Sequence, residues 1–451
     1  MDFVLSLPYL ALLIWVLPRI LFIKQTEISA PAIRILFTLK AFVGVGLILL
    51  YTYYYPKGSS DTFNYFRDGE ILFSTLFHNP VDYFRMLTGI QGDTPHLMYY
   101  YDEMNFWLKD FNYNLFNDNR TVIRFNALLM PFSFGNIYVH TYVMNFLAFL
   151  GLMGIYRFFR QMLHFPQLIS LIAVALPPSL LFWGSGLLKE GIVLFALGMF
   201  LFGLQGINTH RTKIFPWLLL VLSVALFGIS KFYVLLALIP GIISWQLAAK
   251  RKIITYVGIH VLLLAAIFIL PLTGFFPDIP DIISRKQNDF INYAQSLSHV
   301  GSLIDTPRLS SDFVSFMYNA VRGFIITLFR PHVAEVHNAA IIPAVIENLI
   351  TITLLLLSLI FRNKKQSINA LLLCASFTLV LFSLAGMTTP VLGALVRYKI
   401  PAQPFLYALL LSNINWQQIN EKIKHNALIN NIFKHISQFC FKSQQPTTST
   451  K

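Results

Sequence analysis

The sequence predicts an all-α polytopic membrane protein with about eleven transmembrane helices and two large extracytoplasmic loops that contain short helices. Of its 451 residues, 56% are hydrophobic and 12% are charged, whereas soluble proteins carry about 25% charged residues. The hydrophobic residues come in blocks of about 20, the length of helix that crosses roughly 30 Å of hydrocarbon. Basic residues gather in the short segments between these blocks, as they do in cytoplasmic loops.

The blocks set the boundaries of the predicted spans. The first block has neither a basic segment before it nor a small-residue cleavage site after it, so we predict a retained span and not a signal peptide. The eleven predicted spans are residues 3–23, 35–55, 136–158, 167–184, 190–208, 214–230, 232–249, 253–271, 341–361, 367–386 and 400–414.

The charges of the intervening loops predict their sides of the membrane. One set has 19 Lys and Arg residues against two acids; it comprises residues 19–40, 157–166, 209–216, 248–253, 362–366 and the tail from 415. The long loops 56–135 and 272–340 together have 11 Lys and Arg against 15 Asp and Glu. Since positive residues mark the cytoplasmic side, we expect the N-terminus and both long loops outside and the C-terminus inside.

The same division gives the domain organisation. We predict a first pair of helices at 1–55, an outer loop at 56–135 with a re-entrant or interfacial helix, and six helices at 136–271. A second outer loop at 272–340, three helices at 341–414 and a cytoplasmic tail at 415–451 follow. The net charge of +14 is explained by orientation in the bilayer, so no nucleic-acid partner is predicted. The two cysteines fall on the cytoplasmic half, where no disulfide framework is expected.

The first candidate for chemistry is the segment SSDTFNYFRDGE at 59–70. Asp61, Tyr65 and Asp68 recur at helical spacing and so share one helix face. A carboxylate here could act as a general base or hold a divalent metal ion. Asp61 could equally be the N-cap of the helix, because aspartate is a preferred capping residue.

Two further candidates lie where short outer turns are predicted. Lys189 and Glu190, in FWGSGLLKEG at 182–191, stand at the mouth of a long apolar helix, where charge is costly and usually has a use. Both could instead mark the end of a span. Lys231 is a lone cation between two predicted spans; it could contact a lipid phosphate or extend to the headgroups.

The last candidates are outer cations that precede the ninth and eleventh spans. Arg330, in LFRP at 328–331, is held by the proline that follows it, and arginine suits bidentate recognition of phosphate. Glu347 is an acid within a span and so a functional candidate. Arg397 and Lys399, in RYKIP at 397–401, are outward cations in a chain that otherwise keeps its cations inside.

These segments resemble motifs of GT-C-type membrane glycosyltransferases. The acidic and aromatic stretch at 60–65 is similar to their outer-loop motif, and the stretch at 397–401, with Tyr398, is similar to a segment shared by GT-C enzymes and bacterial polysaccharide polymerases. The resemblance implies a multi-pass protein of the bacterial inner membrane. It implies a polyprenyl-phosphate-linked sugar as donor and a glycan or lipid as acceptor.

The resemblance and the charges together predict a set of roles. Asp61 and Glu190 are the candidate catalytic acids, with a divalent metal left open, and the substrate-binding candidates are Tyr65, Lys189, Lys231, Arg330, Arg397 and Tyr398. Sugar transfer to a surface glycan is the first hypothesis. An O-antigen or exopolysaccharide polymerase or ligase would use the same cations with another acceptor. A transporter or flippase fits less well, because no inverted repeat is visible and the charges gather at one face.

Overall fold

A computed structural model describes residues 2–55, 60–108, 117–209, 212–248, 251–296, 302–336, 341–423 and 427–441. Within these ranges the chain is built from helices, with no strand longer than an isolated bridge. The α-helices are α1 (Asp2–Val16), α2 (Leu21–Lys24), α3 (Ala30–Tyr53), α4 (Asp61–His78), α5 (Pro80–Thr88), α6 (Met98–Tyr101), α7 (Asn119–Ser133), α8 (Ile137–Met162), α9 (Gln167–Ala175), α10 (Pro178–Trp183), α11 (Lys189–Thr209), α12 (Ile214–Ile229), α13 (Phe232–Leu247), α14 (Ile253–Ile269), α15 (Ile279–Ser296), α16 (Phe313–Phe329), α17 (Ile342–Ile360), α18 (Ile368–Thr388), α19 (Leu392–Tyr398), α20 (Gln403–Ser412), α21 (Trp416–Ile423) and α22 (Ala427–Cys440).

The all-α class is confirmed for the described residues, and seven helical segments are long and apolar enough to cross a membrane. They are Asp2–Arg19, Ala30–Tyr53, Ile137–Met162, Lys189–Thr209, Ile253–Thr273, Ile342–Ile360 and Ile368–Thr388. The apolar helices α12, α13 and α16 are shorter.

Prolines explain why three predicted spans are not single long helices. The first block changes to a 3-10 turn at Pro18, and the block at 167–184 breaks between α9 and α10 at Pro177. The last block begins with a 3-10 turn that contains Pro401. Proline lacks the backbone N–H of an ordinary residue and clashes with the preceding turn, so it interrupts a continuous hydrogen-bond ladder.

The centre of the bundle is the close crossing of α8 and α11. Gly151 and Gly154 of α8 face Gly198 of α11, and a methyl group added at Gly198 would lie only 1.9 Å from the carbonyl oxygen of Gly151. Small residues at a crossing let two backbones approach closely, as is common in membrane helices. This contact fixes α11, which carries two of the candidate residues at its first turn.

We expect Gly198→Ala to destabilise the protein by about 1–3 kcal/mol, because the added methyl group forces α8 and α11 apart. The matched control is Gly258→Ala in α14, where a new Cβ meets no atom within 4 Å. That change should be neutral or stabilising by up to ~1 kcal/mol, the helix-propensity gain of alanine. Unfolding in detergent measures both, and equal stability of the two variants would contradict the close approach of α8 and α11.

Most of the predicted basic loops meet at one end of the bundle, which we call the cation-rich end. There Ser29 N donates to Cys440 O at 2.8 Å, and the backbone N–H of Asn363 donates to Asn413 O at 2.6 Å. The backbone N–H of His164 donates to Gln366 Oε1 at 2.9 Å. Lys40, which belongs by sequence to the predicted cytoplasmic segment 19–40, is an exception because it is buried in the middle of α3.

The opposite end carries a helical cap built from the residues predicted as the first outer loop. Within it α4 packs on α7, with Gly69 against Asn126, whose amide donates to Tyr65 O at 3.1 Å. Asp68 accepts hydrogen bonds from the backbone N–H groups of Asn105 and Phe106 at 2.8 and 2.7 Å. Asp68 is therefore a structural residue of the cap, and burial raises the pKa of its carboxyl group.

The second predicted outer loop contains an apolar helix that lies along the bundle. α16 packs on α18, where a methyl group on Gly386 would lie 2.0 Å from Gly323 O. Thr327 near the end of α16 donates to Phe382 O at 2.8 Å. Phe382 is about 9 Å from the last residue of α18 at 1.5 Å per residue. The end of α16 therefore lies alongside α18, well inside the end of the bundle.

Candidate functional site

Asp61 is the first residue of α4, but it is not the cap of that helix. Ser60 is the N-cap, and its side chain accepts a hydrogen bond from Phe63 N at 3.3 Å. The capping interpretation of Asp61 is therefore wrong. Its carboxylate instead faces the last turn of α19, where Arg397 Nη1 lies 2.5 Å from Asp61 Oδ2.

Glu190 joins this pair to a second cation. Arg397 Nε lies 2.7 Å from Glu190 Oε1 and forms an ion pair with it, although the Nε–H group is not oriented for a hydrogen bond. Lys231 Nζ donates to the same oxygen at 2.6 Å. Asp61, Arg397, Glu190 and Lys231 thus form a chain of alternating charges, which we call the charged cluster.

The members of the charged cluster differ in exposure. The side chains of Glu190 and Lys231 are 1% and 5% exposed, that of Arg397 13%, and that of Asp61 34%. Glu190 and Lys231 therefore form the buried inner pair of the cluster, and Asp61 is its most exposed member. Burial lowers the pKa of Arg397, but the carboxylates of Glu190 and Asp61 outweigh it and hold that pKa well above its usual value.

Aromatic side chains surround the charges. Lys231 Nζ lies 4.5 Å from the centre of the Tyr398 ring, within cation–π distance. Burial raises the pKa of Tyr398 and of Tyr65, so both hydroxyls stay protonated and can donate. Two buried polar atoms, Glu190 Oε2 and the Tyr233 hydroxyl, have no hydrogen-bond partner among the described residues.

Lys189 and Tyr65 form a neighbouring group. Lys189 Nζ lies 2.8 Å from Asp118 Oδ1 and 5.8 Å from the centre of the Tyr65 ring. The Tyr65 hydroxyl donates to Asn119 Oδ1 at 2.9 Å. Asp61 and Asp118 also lie close enough to Tyr65 to raise its pKa, so this group adjoins the charged cluster.

The first turn of α11 is recessed, which corrects the prediction of an external turn at 182–191. Gly191 packs against Met144, about two turns into α8 and roughly 10 Å from its first residue. The turn is held from inside the bundle. Lys40 Nζ donates to Gly184 O at 2.5 Å, and Asn145 Nδ2 donates to Ser185 O at 2.7 Å.

Arg330 belongs to a different group of residues. It pairs with Glu335, which also accepts from the backbone N–H of His332 at 3.0 Å. The carbonyl of Pro331 accepts from Asn348, which in turn accepts from Lys399 Nζ at 2.9 Å. The described contacts place Arg330 with Glu335 and not in the charged cluster.

Glu347 also lies outside the charged cluster. Its carboxylate accepts from the backbone N–H and the hydroxyl of Ser179, both at 2.5 Å, and from the amide of Gln403. Glu347 thereby ties α17 to the start of α10 and to α20. Its position supports a structural role in joining the interrupted helices.

Three residues of the site were missed by sequence reasoning. Asp118 is one acid among many in the outer loop, Tyr233 lies in an apolar span without a motif, and Tyr51 lies at the end of another apolar span. Tyr51 is within electrostatic range of Arg397 and Asp61. A signal for it existed in the tyrosine-rich stretch YTYYY at 51–55.

Metal binding stays a prediction. Among the described residues, no three His, Cys, Asp or Glu side chains are grouped so that they could hold an ion. The two acids of the charged cluster, Asp61 and Glu190, are both paired with Arg397.

No protein-family model matches the chain, and no curated protein or solved structure matches it either.

Proposed function

We propose that the protein is a GT-C-like membrane glycosyltransferase that takes its sugar from a polyprenyl-phosphate-linked donor on the extracytoplasmic face. The observation that carries this proposal is the charged cluster. It sets a buried cation, Lys231, and a largely enclosed one, Arg397, beside a partly exposed carboxylate, Asp61. It lies at the end of the bundle under the helical cap, where the outer face is proposed to be.

The proposed reaction needs one base and one anion site. The hydroxyl oxygen of the acceptor forms a bond to the anomeric carbon of the sugar, while the bond from that carbon to the phosphate oxygen breaks. The phosphate leaves with the electron pair, and the hydroxyl proton passes to Asp61. Arg397 and Lys231 would stabilise the departing phosphate, since fixed charges in a site of low dielectric lower the barrier efficiently.

The burial pattern supports different roles for the two acids. Asp61 is exposed enough to meet an acceptor, and its Oδ1 is not the oxygen that pairs with Arg397. Glu190 is enclosed, with one oxygen shared by Arg397 and Lys231. We therefore propose Asp61 as the general base and Glu190 as the anchor that holds the two cations together.

A row of tyrosines supports a glycan acceptor, which keeps a polymerase or ligase as the second candidate function. Tyr51 lies within electrostatic range of Asp61 and Arg397, and its ring centre is 5.5 Å from that of Tyr55. The centre of the Tyr54 ring lies 5.3 Å from that of Tyr55, and Tyr54 is more exposed than Tyr55. Aromatic faces leading outward from a base offer stacking surfaces for several sugar rings in succession.

An apolar cavity supports a substrate with a hydrocarbon chain. It has a volume of about 360 Å³ and lies apart from the charged cluster, between α14, α16, α17, α18 and α20. Leu328, Leu355 and Leu379 are among its lining residues. A space of this size and composition suits part of a prenyl or acyl chain.

Asp61→Asn tests the proposed base, because asparagine keeps the size of the side chain and removes its charge. Ser60 caps α4, so the variant should fold and insert normally. We expect sugar transfer from a lipid-linked donor to fall by about a hundredfold or more, the contribution of a well-placed general base. Full turnover by this variant in purified form would remove Asp61 from the mechanism.

The proposed topology has about eleven crossings, with the N-terminus outside and the C-terminus in the cytoplasm of a bacterial cell. Cysteines at the exposed positions Glu103 and Arg285 should react with an impermeant maleimide added to intact cells. A cysteine at Lys365, at the cation-rich end, should react only after the membrane is permeabilised. The Cys440→Ser background removes the half-exposed native thiol, and the reverse labelling pattern would overturn the proposed face of action.

A further inference from the structure

Arg397 is held by two carboxylates that are placed very differently. Glu190 contacts its Nε edge and is enclosed by the bundle, whereas Asp61 contacts Nη1 from the exposed side. A guanidinium group offers a planar fork suited to two oxygens of one carboxylate or phosphate. In the structure, therefore, a carboxylate of the chain itself occupies part of the surface that a phosphate would use.

We infer that Asp61 acts in the resting protein as a stand-in for the donor phosphate on Arg397, and that the phosphate displaces it and so frees it to act as base. This inference rests on the proposed glycosyltransferase function. It adds that binding of the donor controls when Asp61 can act as the base. Asp61 can take the acceptor proton only after the donor has taken over its cation.

The charge balance of the cluster supports this exchange. Asp61 and Glu190 offset Arg397 and Lys231, so the resting cluster has no net charge. Without Asp61, the remaining three residues would carry one net positive charge. Because the incoming phosphate displaces Asp61, its charge takes the place of the carboxylate while Glu190 keeps its contacts with both cations. No cation is therefore left without an anion, which would be costly in this environment.

The local structure lets Asp61 leave without disrupting the fold. Ser60 supplies the side-chain cap of α4, so the helix keeps its first turn when the aspartate changes rotamer. The bonds that tie α4 to the rest of the cap lie further along, at Tyr65 O and at the Asp68 carboxylate. Glu190 has no such freedom, because Arg397 and Lys231 both hold the same oxygen.

Binding of a short isoprenyl monophosphate to the full-length protein in lipid nanodiscs tests the inference. Asp61→Asn should bind this probe more tightly, by about fivefold or more, since the ligand no longer competes with a carboxylate for the guanidinium. Glu190→Gln should bind it more weakly, because it loses the anchor of both cations. Asp281→Asn is the matched control, a partly exposed aspartate paired with Arg285 on α15, and should bind as the wild type does.

A second measurement uses the wild type and so does not depend on the folding of a variant. Carbodiimide coupling of an amine to Asp61, read by mass spectrometry, should increase when the isoprenyl phosphate is present. Equal or weaker binding by Asp61→Asn, or protection of Asp61 by the ligand, would overturn the exchange while leaving the donor site standing. If the wild type and every variant fail to bind the probe, the proposed function fails, and the inference fails with it.

Discussion

Arg397→Lys is expected to reduce sugar transfer by about a hundredfold or more, the loss seen when one preorganised donor to a developing anion is removed. The guanidinium of Arg397 reaches Asp61 through Nη1 and Glu190 through Nε. A lysine has a single ammonium group at the end of a flexible stem and cannot hold both carboxylates in this geometry. The positive charge is conserved, so the loss of activity would come from the missing planar guanidinium group with its several N–H donors.

Initial rates with a lipid-linked donor, measured on purified protein of verified folding, give the test. Arg322→Lys is the matched control: Arg322 lies on α16 and donates to Asp305 O at 2.9 Å, on the exposed surface. It should retain nearly full activity. If Arg397→Lys transferred sugar at the wild-type rate, a point charge would be sufficient. The simultaneous contact of the guanidinium group with Asp61 and Glu190 would then have no part in the reaction.

The helical class could be predicted because it follows from chain-wide chemistry. Apolar blocks as long as a bilayer is thick can bury their backbone polar groups only as helices. The individual residues of the charged cluster could also be predicted, since each is a charge at the edge of an apolar segment. Their pairing could not: Asp61 and Arg397 are separated by 336 positions, and single-sequence patterns carry no information on such contacts.

Where the sequence predictions and the structure differ, the reasons are local. The sequence pattern gives no span over α16 because Asn319 and Arg322 interrupt its hydrophobic residues and it has only 17 residues. Lys40 counts with the cytoplasmic cations by position, although its amine bonds the carbonyl of Gly184 inside the bundle. Arg330 matches the expected chemistry of a phosphate site, but a nearby acid, Glu335, gives it another partner.

The inner pair of the charged cluster, Glu190 and Lys231, is expected to stabilise the fold. Glu190→Gln should lower the free energy of unfolding by about 3–5 kcal/mol, the usual cost of leaving a buried charge without its partner. Lys231 would then face a neutral amide oxygen and the ring of Tyr398 in place of a carboxylate. Denaturant titration of the purified protein measures this change, with the exposed Glu103→Gln as a control that should be silent.

The double variant Glu190→Gln/Lys231→Met separates charge balance from other roles of the carboxylate. Removing both charges of the 2.6 Å pair leaves no uncompensated lysine, so a large part of the lost stability should return, since the main cost of the single change is a buried charge without its partner. Sugar transfer should not return, because one of the two cations proposed to face the phosphate is gone. If the two single losses of stability simply added in the double variant, Glu190 would stabilise the fold by something other than its pairing with Lys231, and the inner pair would no longer explain how Arg397 is held in place.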